Sequence, residues 1–136
     1  MSRKNIIYIC GPMSGIDDDN FPAFNFAANY FRQRGYKVWN PAEIEPLTPA
    51  LRAALPMTEI YRRCLPEDVS KIKQCGALVA LPGWERSRGT AWEKEGAEMM
   101  GIPFIAPDYT SDEFPGELTD YLDACWELLK EELCVS

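Results

Sequence analysis

The chain has 136 residues, a net charge of −7 and a pI near 4.6, with five cysteines and no histidine. Its length suits one compact domain, 1–136, able to bury roughly two thirds of its unfolded surface. The acidic balance argues against a nucleic-acid polymer as partner, since such a partner would need a basic stripe.

The cysteines Cys10, Cys64, Cys75, Cys125 and Cys134 form no CxxC pair. Without histidine, no metal site is expected, and Ser-His or Cys-His nucleophile chemistry is excluded. That leaves carboxylates, Tyr, Lys or Ser as catalytic groups. Cys10 and Cys75 fall in or beside apolar runs and read as buried thiols. No signal peptide or long apolar span is recognised, so the expectation is a cytoplasmic, reduced protein with no membrane contact.

Residues 5–10 (NIIYIC) form a continuous β-rich run, as a central parallel strand should, followed at once by the loop GPMSG at 11–15. This loop matches neither GxxxxGK[ST] nor GxGxxG, so no phosphate-hydrolysing or dinucleotide fingerprint is met. Phe24, Ala27, Ala28 and Phe31 recur at helical spacing; Asn20 or Phe21 would cap that helix, with Pro22 near its start and Gly35 ending it. Residues 36–39 (YKVW) read as a second strand, ended by Asn40-Pro41. The Pro-containing interval 42–57 is expected to cross the surface irregularly, with one helical turn around 51–55, and could act as a lid. Thr58 reads as the cap of a helix reaching about Gln74, kinked or split at Pro66. Asp68 follows Pro66 closely; a first-turn acid favoured by the helix dipole is the plainest account of it.

The stretch 81–103 (LPGWERSRGTAWEKEGAEMMGIP) links an apolar run at 77–81 to another at 102–106. It reads as strand, loop, helix, strand. In a parallel sheet, ligands bind beyond the carboxyl ends of the strands, which is where this loop would lie. Arg86, Ser87, Arg88 and Thr90 offer donors there, Gly89 allows close backbone approach, and the free N–H groups of a helix start suit a small anion. Glu93 is grouped with an apolar helix face of Trp92, Gly96, Met99 and Met100, where a lone carboxylate is costly and so a candidate for function. A capping box, Thr90-Ala91-Trp92-Glu93, accounts for the same glutamate structurally, and both accounts stay open. The last helix is expected from about Gly116 to Leu133 with Leu118, Tyr121, Leu122, Cys125, Leu128 and Leu129 as its apolar stripe. The alternation βαβαβαβα predicts a three-layer α/β sandwich of Rossmann/flavodoxin-like type. Its parallel sheet would have four to five strands, with helices on both faces.

The motifs IIYICGPMSG at 6–15, Asn40-Pro41, Asp68 seven residues before Cys75, and the 81–103 stretch together resemble the nucleoside 2-deoxyribosyltransferase-like superfamily. The likeness is to a phage and bacterial branch related to the nucleoside 5′-monophosphate N-glycosidases. It implies cleavage or transfer of an N-glycosidic bond through a covalent glycosyl-glutamate. Glu93 falls on the family nucleophile, Asp68 on its acid/base, and Tyr8 on the tyrosine that holds the nucleophile. The implied substrate-binding set is Gly11, Met13, Ser14, Gly15, Asn40, Trp84, Arg86, Ser87, Arg88 and Gly89. The implied partners are a small-molecule nucleoside or nucleotide, with no cofactor, and further copies of the chain in a homodimer or higher homo-oligomer. Gly76 stands where many relatives have Asp, and Glu95 where they usually have Gly. A non-catalytic nucleotide sensor on the same fold is the alternative, because fold does not fix function.

Overall fold

The computed structural model describes residues 5–13, 15–44, 54, 71–107 and 117–133. Its strands are β1 (Ile6–Cys10), β2 (Lys37–Trp39), β3 (Ala77–Ala80) and β4 (Phe104–Ile105). The helices are α1 (Phe21–Arg32), the short α2 (Pro41–Ile44), α3 (Arg88–Met99) and α4 (Leu118–Leu133). All three strand pairings are parallel, in the order β2-β1-β3-β4. The four-stranded parallel α/β architecture is therefore the expected one.

Strand alternation sends successive side chains to opposite faces of the sheet. Ile7, Ile9, Ala77, Val79 and Leu81 meet α1 and α4 through Phe24, Ala27, Phe31, Leu122 and Leu129. Tyr8, Cys10, Leu78 and Ala80 form the other core with Ile72, Cys75, Ile102 and Ala97 of α3. Burial on both faces is why β1 and β3 read as unbroken apolar runs rather than alternating ones.

Several boundaries move. The strand expected over 102–106 contracts to Phe104–Ile105, because only Leu78 and Val79 of β3 offer it partners. Part of the interval expected to be irregular is helical, since Asn40 caps α2: the Ala42 N–H donates to Asn40 Oδ1 at 3.0 Å and the Glu43 N–H to the Asn40 carbonyl at 2.9 Å. Ahead of α1, Asp17–Asn20 form a 3₁₀ turn in which Asp18, Asp19 and Asn20 are left-handed, at φ 55°, 52° and 62°. Asn20 does not cap α1 with its side chain; its Nδ2 donates instead to the Pro12 carbonyl at 2.9 Å. The lid reading of 42–57 beyond Ile44, the helical turn at 51–55 apart from Ala54, the Thr58 cap, Pro66 and residues 108–116 lie outside the described residues.

Candidate functional site

With the order β2-β1-β3-β4, the chain leaves β1 to one side for β2 and returns to its other side for β3, so the sheet switches direction between β1 and β3. Beyond the carboxyl ends of those strands is where a fold of this kind presents a ligand site. The loops that follow β1 and β3 meet there. The Leu81 N–H donates to the Cys10 carbonyl at 2.8 Å. A Cβ built on Gly11 would lie 2.9 Å from the Leu81 Cβ, so Gly11 is required by this close approach. Gly83 is left-handed at φ 85°, and a Cβ there would come within 3.4 Å of Pro12 Cγ.

Past Gly83 the chain makes one 3₁₀ turn, Trp84–Arg86, and then starts α3. The cap of α3 is Ser87, whose Oγ accepts from the Thr90 N–H at 3.1 Å. This corrects the expected Thr90 cap. A capping box needs its acid at the third helical position, which with Ser87 as cap is Thr90, so the box does not explain Glu93. The apolar-face reading is corrected as well. Trp92 is half exposed and Met99 is 83% exposed, whereas Thr90, Glu93 and Ala97 are the buried residues of α3. Residue type pointed to the stripe of Trp92 and Met99; the sheet lies under the stripe about 100° away from it.

Glu93 is therefore a buried carboxylate, 7% exposed, on the helix face that packs on the sheet. Because α3 starts at the carboxyl end of β3, Thr90 and Glu93 sit toward that end and Ala97 further down the sheet. Tyr8, fully buried, is on the same face and in the same cluster as Ala97. Glu95 is exposed on the side of α3 away from the core.

The remaining expected site residues separate into groups. Arg86 and Arg88 are exposed, while Ser87 and Gly89 are partly buried at the start of α3. There the helix geometry leaves the Arg88 and Gly89 N–H groups without an intrahelical acceptor. Trp84 packs its ring edge-on against Phe104, centroids 5.0 Å apart, as part of the α3-side core. Met13 packs against the opposite core, on the α1/α4 side. Gly15 is left-handed at φ 83° with open space around it. Asn40 is buried and uses both ends of its amide inside the protein, donating from Nδ2 to Asn25 Oδ1 at 2.9 Å and accepting the Ala42 N–H. Asp68 and Ser14 lie outside the described residues.

Tyr121 of α4 is a contributor that the sequence reading assigned only to a stripe. Its hydroxyl donates to the Ala80 carbonyl at 2.7 Å. Ala80 pairs with Cys10 of β1, whereas β4 ends with Ile105 opposite Val79, so this side-chain bond adds a tie to the last residue of β3 past the end of β4. Burial raises the Tyr121 hydroxyl far above the ordinary tyrosine range, which keeps it the protonated donor. Among the described residues no helix is long and apolar enough to cross a membrane.

A parallel α/β protein with a buried acid on the helix that follows β3 is the class that this arrangement defines. Residues 5–106 match the family DUF4406, described as a domain of unknown function, and the chain belongs to that family. A search of curated proteins finds no match. Among solved structures, the solution structure of BlsM is similar over 97% of this chain and 95% of that one, with a TM-score of 0.64 and 17% identity. At that identity the likeness establishes the fold alone.

Proposed function

We propose that the protein cleaves or transfers the N-glycosidic bond of a (deoxy)nucleoside or its 5′-monophosphate. The observation that carries this reading is Glu93, a carboxylate buried on the sheet-facing stripe of α3 at the carboxyl end of the sheet, on the same face as Tyr8. Carboxylates are seldom buried in folded proteins, and buried ionisable groups concentrate where chemistry is done. Ser87, rather than Thr90, caps the helix, so a capping role no longer competes for this carboxylate.

In the proposed reaction a Glu93 oxygen attacks the anomeric carbon of the sugar as the C–N bond breaks. The bonding pair leaves with the base, which takes a proton from Asp68, the acid implied by the resemblance. The glycosyl-glutamate ester is then opened by water, which gives hydrolysis, or by a second base, which gives transfer. The transition state carries positive charge on the sugar, so a carboxylate beside it is stabilising, and the Tyr8 hydroxyl would orient that carboxylate. Exposed Arg86 and Arg88, with the open N–H groups of α3, suit a 5′-phosphate. Assembly into a homo-oligomer belongs to the same proposal.

The test is base release from each nucleoside and nucleoside 5′-monophosphate in both sugar series, with and without a second free base, beside Glu93→Gln. Release by the unsubstituted protein and a loss of at least about a thousandfold in the variant is expected, since the variant removes the nucleophile. Equal turnover by Glu93→Gln would sink the proposal. Tight nucleotide binding without any product after prolonged incubation would favour a sensor.

A further inference from the structure

Nearly all buried polar groups in folded proteins find a hydrogen-bond partner, so one that finds none calls for a reason. Among the described residues, the Tyr36 hydroxyl, the Trp39 indole Nε1 and the Thr90 hydroxyl are each buried without such a partner. Tyr36 belongs to the aromatic core on the α1/α4 side. The other two are on the face that carries Tyr8 and Glu93. Thr90 is 1% exposed and lies one helical turn before Glu93 on the buried stripe of α3. Trp39 is the last residue of β2, is in register with Tyr8 of β1, and packs against the same core as Tyr8.

The strand order places these two groups on opposite sides of Tyr8. β1 lies between β2, which carries Trp39, and β3, against which α3 packs together with β4. β2 and β3 are two strand spacings apart, roughly 10 Å, which is about the span of a nucleoside. Helical side chains lean toward the N-terminus, so the Glu93 carboxylate leans toward Thr90.

Resting on the glycosyl reading of Glu93, we infer that Thr90 and Trp39 are ligand-contacting donors: the Thr90 hydroxyl bonds the sugar held at Glu93, and the Trp39 indole N–H bonds an acceptor on the base across Tyr8. An indole N–H donates and cannot accept. The base must then present a carbonyl oxygen or an unprotonated ring nitrogen to Trp39. A base edge that offers only an amino group there is discriminated against, because two donors would face each other out of water. Neither residue belongs to the set implied by resemblance; the sequence offers Thr90 only as one donor among several for a small anion, and its burial and the position of Trp39 come from the tertiary fold.

Thr90→Val keeps the branched shape and removes only the hydroxyl; Trp39→Phe keeps an aromatic ring and removes the N–H. In a Glu93→Gln background, which stops turnover, calorimetric titration with the ribo- and deoxyribonucleoside 5′-monophosphates is expected to show about a tenfold rise in Kd in each variant. Thr90→Val is also expected to melt at or above the temperature of its parent, since it removes a buried hydroxyl that has no partner. Trp39→Phe shortens a packed side chain, so a second measurement carries that arm. The Trp39 indole resonance of the parent, assigned by its disappearance in Trp39→Phe, moves downfield on saturation with the tightest nucleotide.

Unchanged affinity in Thr90→Val, or an unmoved indole resonance at saturation, overturns the inference, the donors then being met by solvent. Base release that Thr90→Val and Trp39→Phe, each made with Glu93 intact, support at the unsubstituted rate and KM sinks this inference and leaves the glycosyl reading standing. The expected contacts without base release by the unsubstituted protein sink the glycosyl reading and leave the contacts standing. Failure of every nucleotide to bind sinks both.

Discussion

The two faces of the sheet are built from different side chains. On the α1/α4 side, Phe24, Phe31, Leu122 and Leu129 are fully buried, and aromatic rings meet edge to face in a chain, Tyr30 on Phe31, Phe31 on Tyr36 and Tyr36 on Trp126. Polar groups there are largely spoken for: the Tyr30 hydroxyl donates to Asp123, the Tyr121 hydroxyl to Ala80, and the Arg34 guanidinium lies 3.5 Å over the Tyr30 ring. On the α3 side Tyr8, Ile72, Leu78 and Ile102 pack with the smaller Cys10, Cys75, Ala80 and Ala97, and the buried residues of α3 include the polar Thr90 and Glu93. Large apolar residues with satisfied polar tips supply stability.

The division can be broken most sharply at Phe31. Phe31→Ala should cost about 3–5 kcal/mol, read from the denaturation midpoint, because the cavity opens in a packed aromatic core. Nucleotide affinity per folded molecule should be unchanged. A fall in affinity alongside the loss of stability would show that the faces are not separable. Tyr121→Phe is expected to have a smaller effect, about 1–3 kcal/mol, from leaving the Ala80 carbonyl without its donor. Unlike Phe31→Ala it should also weaken nucleotide binding, because Ala80 leads directly into the loop that carries the start of α3. Titration of an α4 core thiol gives the smallest effect. Burial pushes the Cys125 thiol from 9.0 up to about 12. A raised value means that the fold favours the protonated form. The contribution of Cys125 is therefore full below pH 9.0 and lost as the pH rises through about 12. The melting temperature should decline over that window, and Cys125→Ala should make the decline shallower.

Much of the fold was legible because its signals are periodic. β1 and β3 are continuous apolar runs, as strands covered on both faces must be, and α4 repeats Tyr121, Leu122, Cys125 and Leu129 at helical spacing. The left-handed run Asp18-Asp19-Asn20 was not legible, since each of these residues also suits an ordinary turn. Nor was the start of α3. Ser87 and Thr90 are both acceptable caps in isolation, and Ser87 takes the position because the 3₁₀ turn after Gly83 brings it there. Glu93 was grouped with Trp92 and Met99, which are exposed, whereas it is buried on the stripe of Thr90 and Ala97. Trp39 and Thr90 carried no local signal that a hydroxyl and an indole would be buried without partners.

By itself the sequence determined the order of elements, the parallel α/β class and the stretch in which the candidate site falls, because apolar periodicity, glycine and helix-end chemistry are local properties of the chain. Only the tertiary structure decided which stripe of α3 faces the sheet. Met99 and Glu93 differ by about 120° of rotation around the helix, and residue type favours the wrong stripe. What turns Glu93 inward is the placement of α3 against β3 and β4, a long-range constraint that no window of neighbouring residues contains.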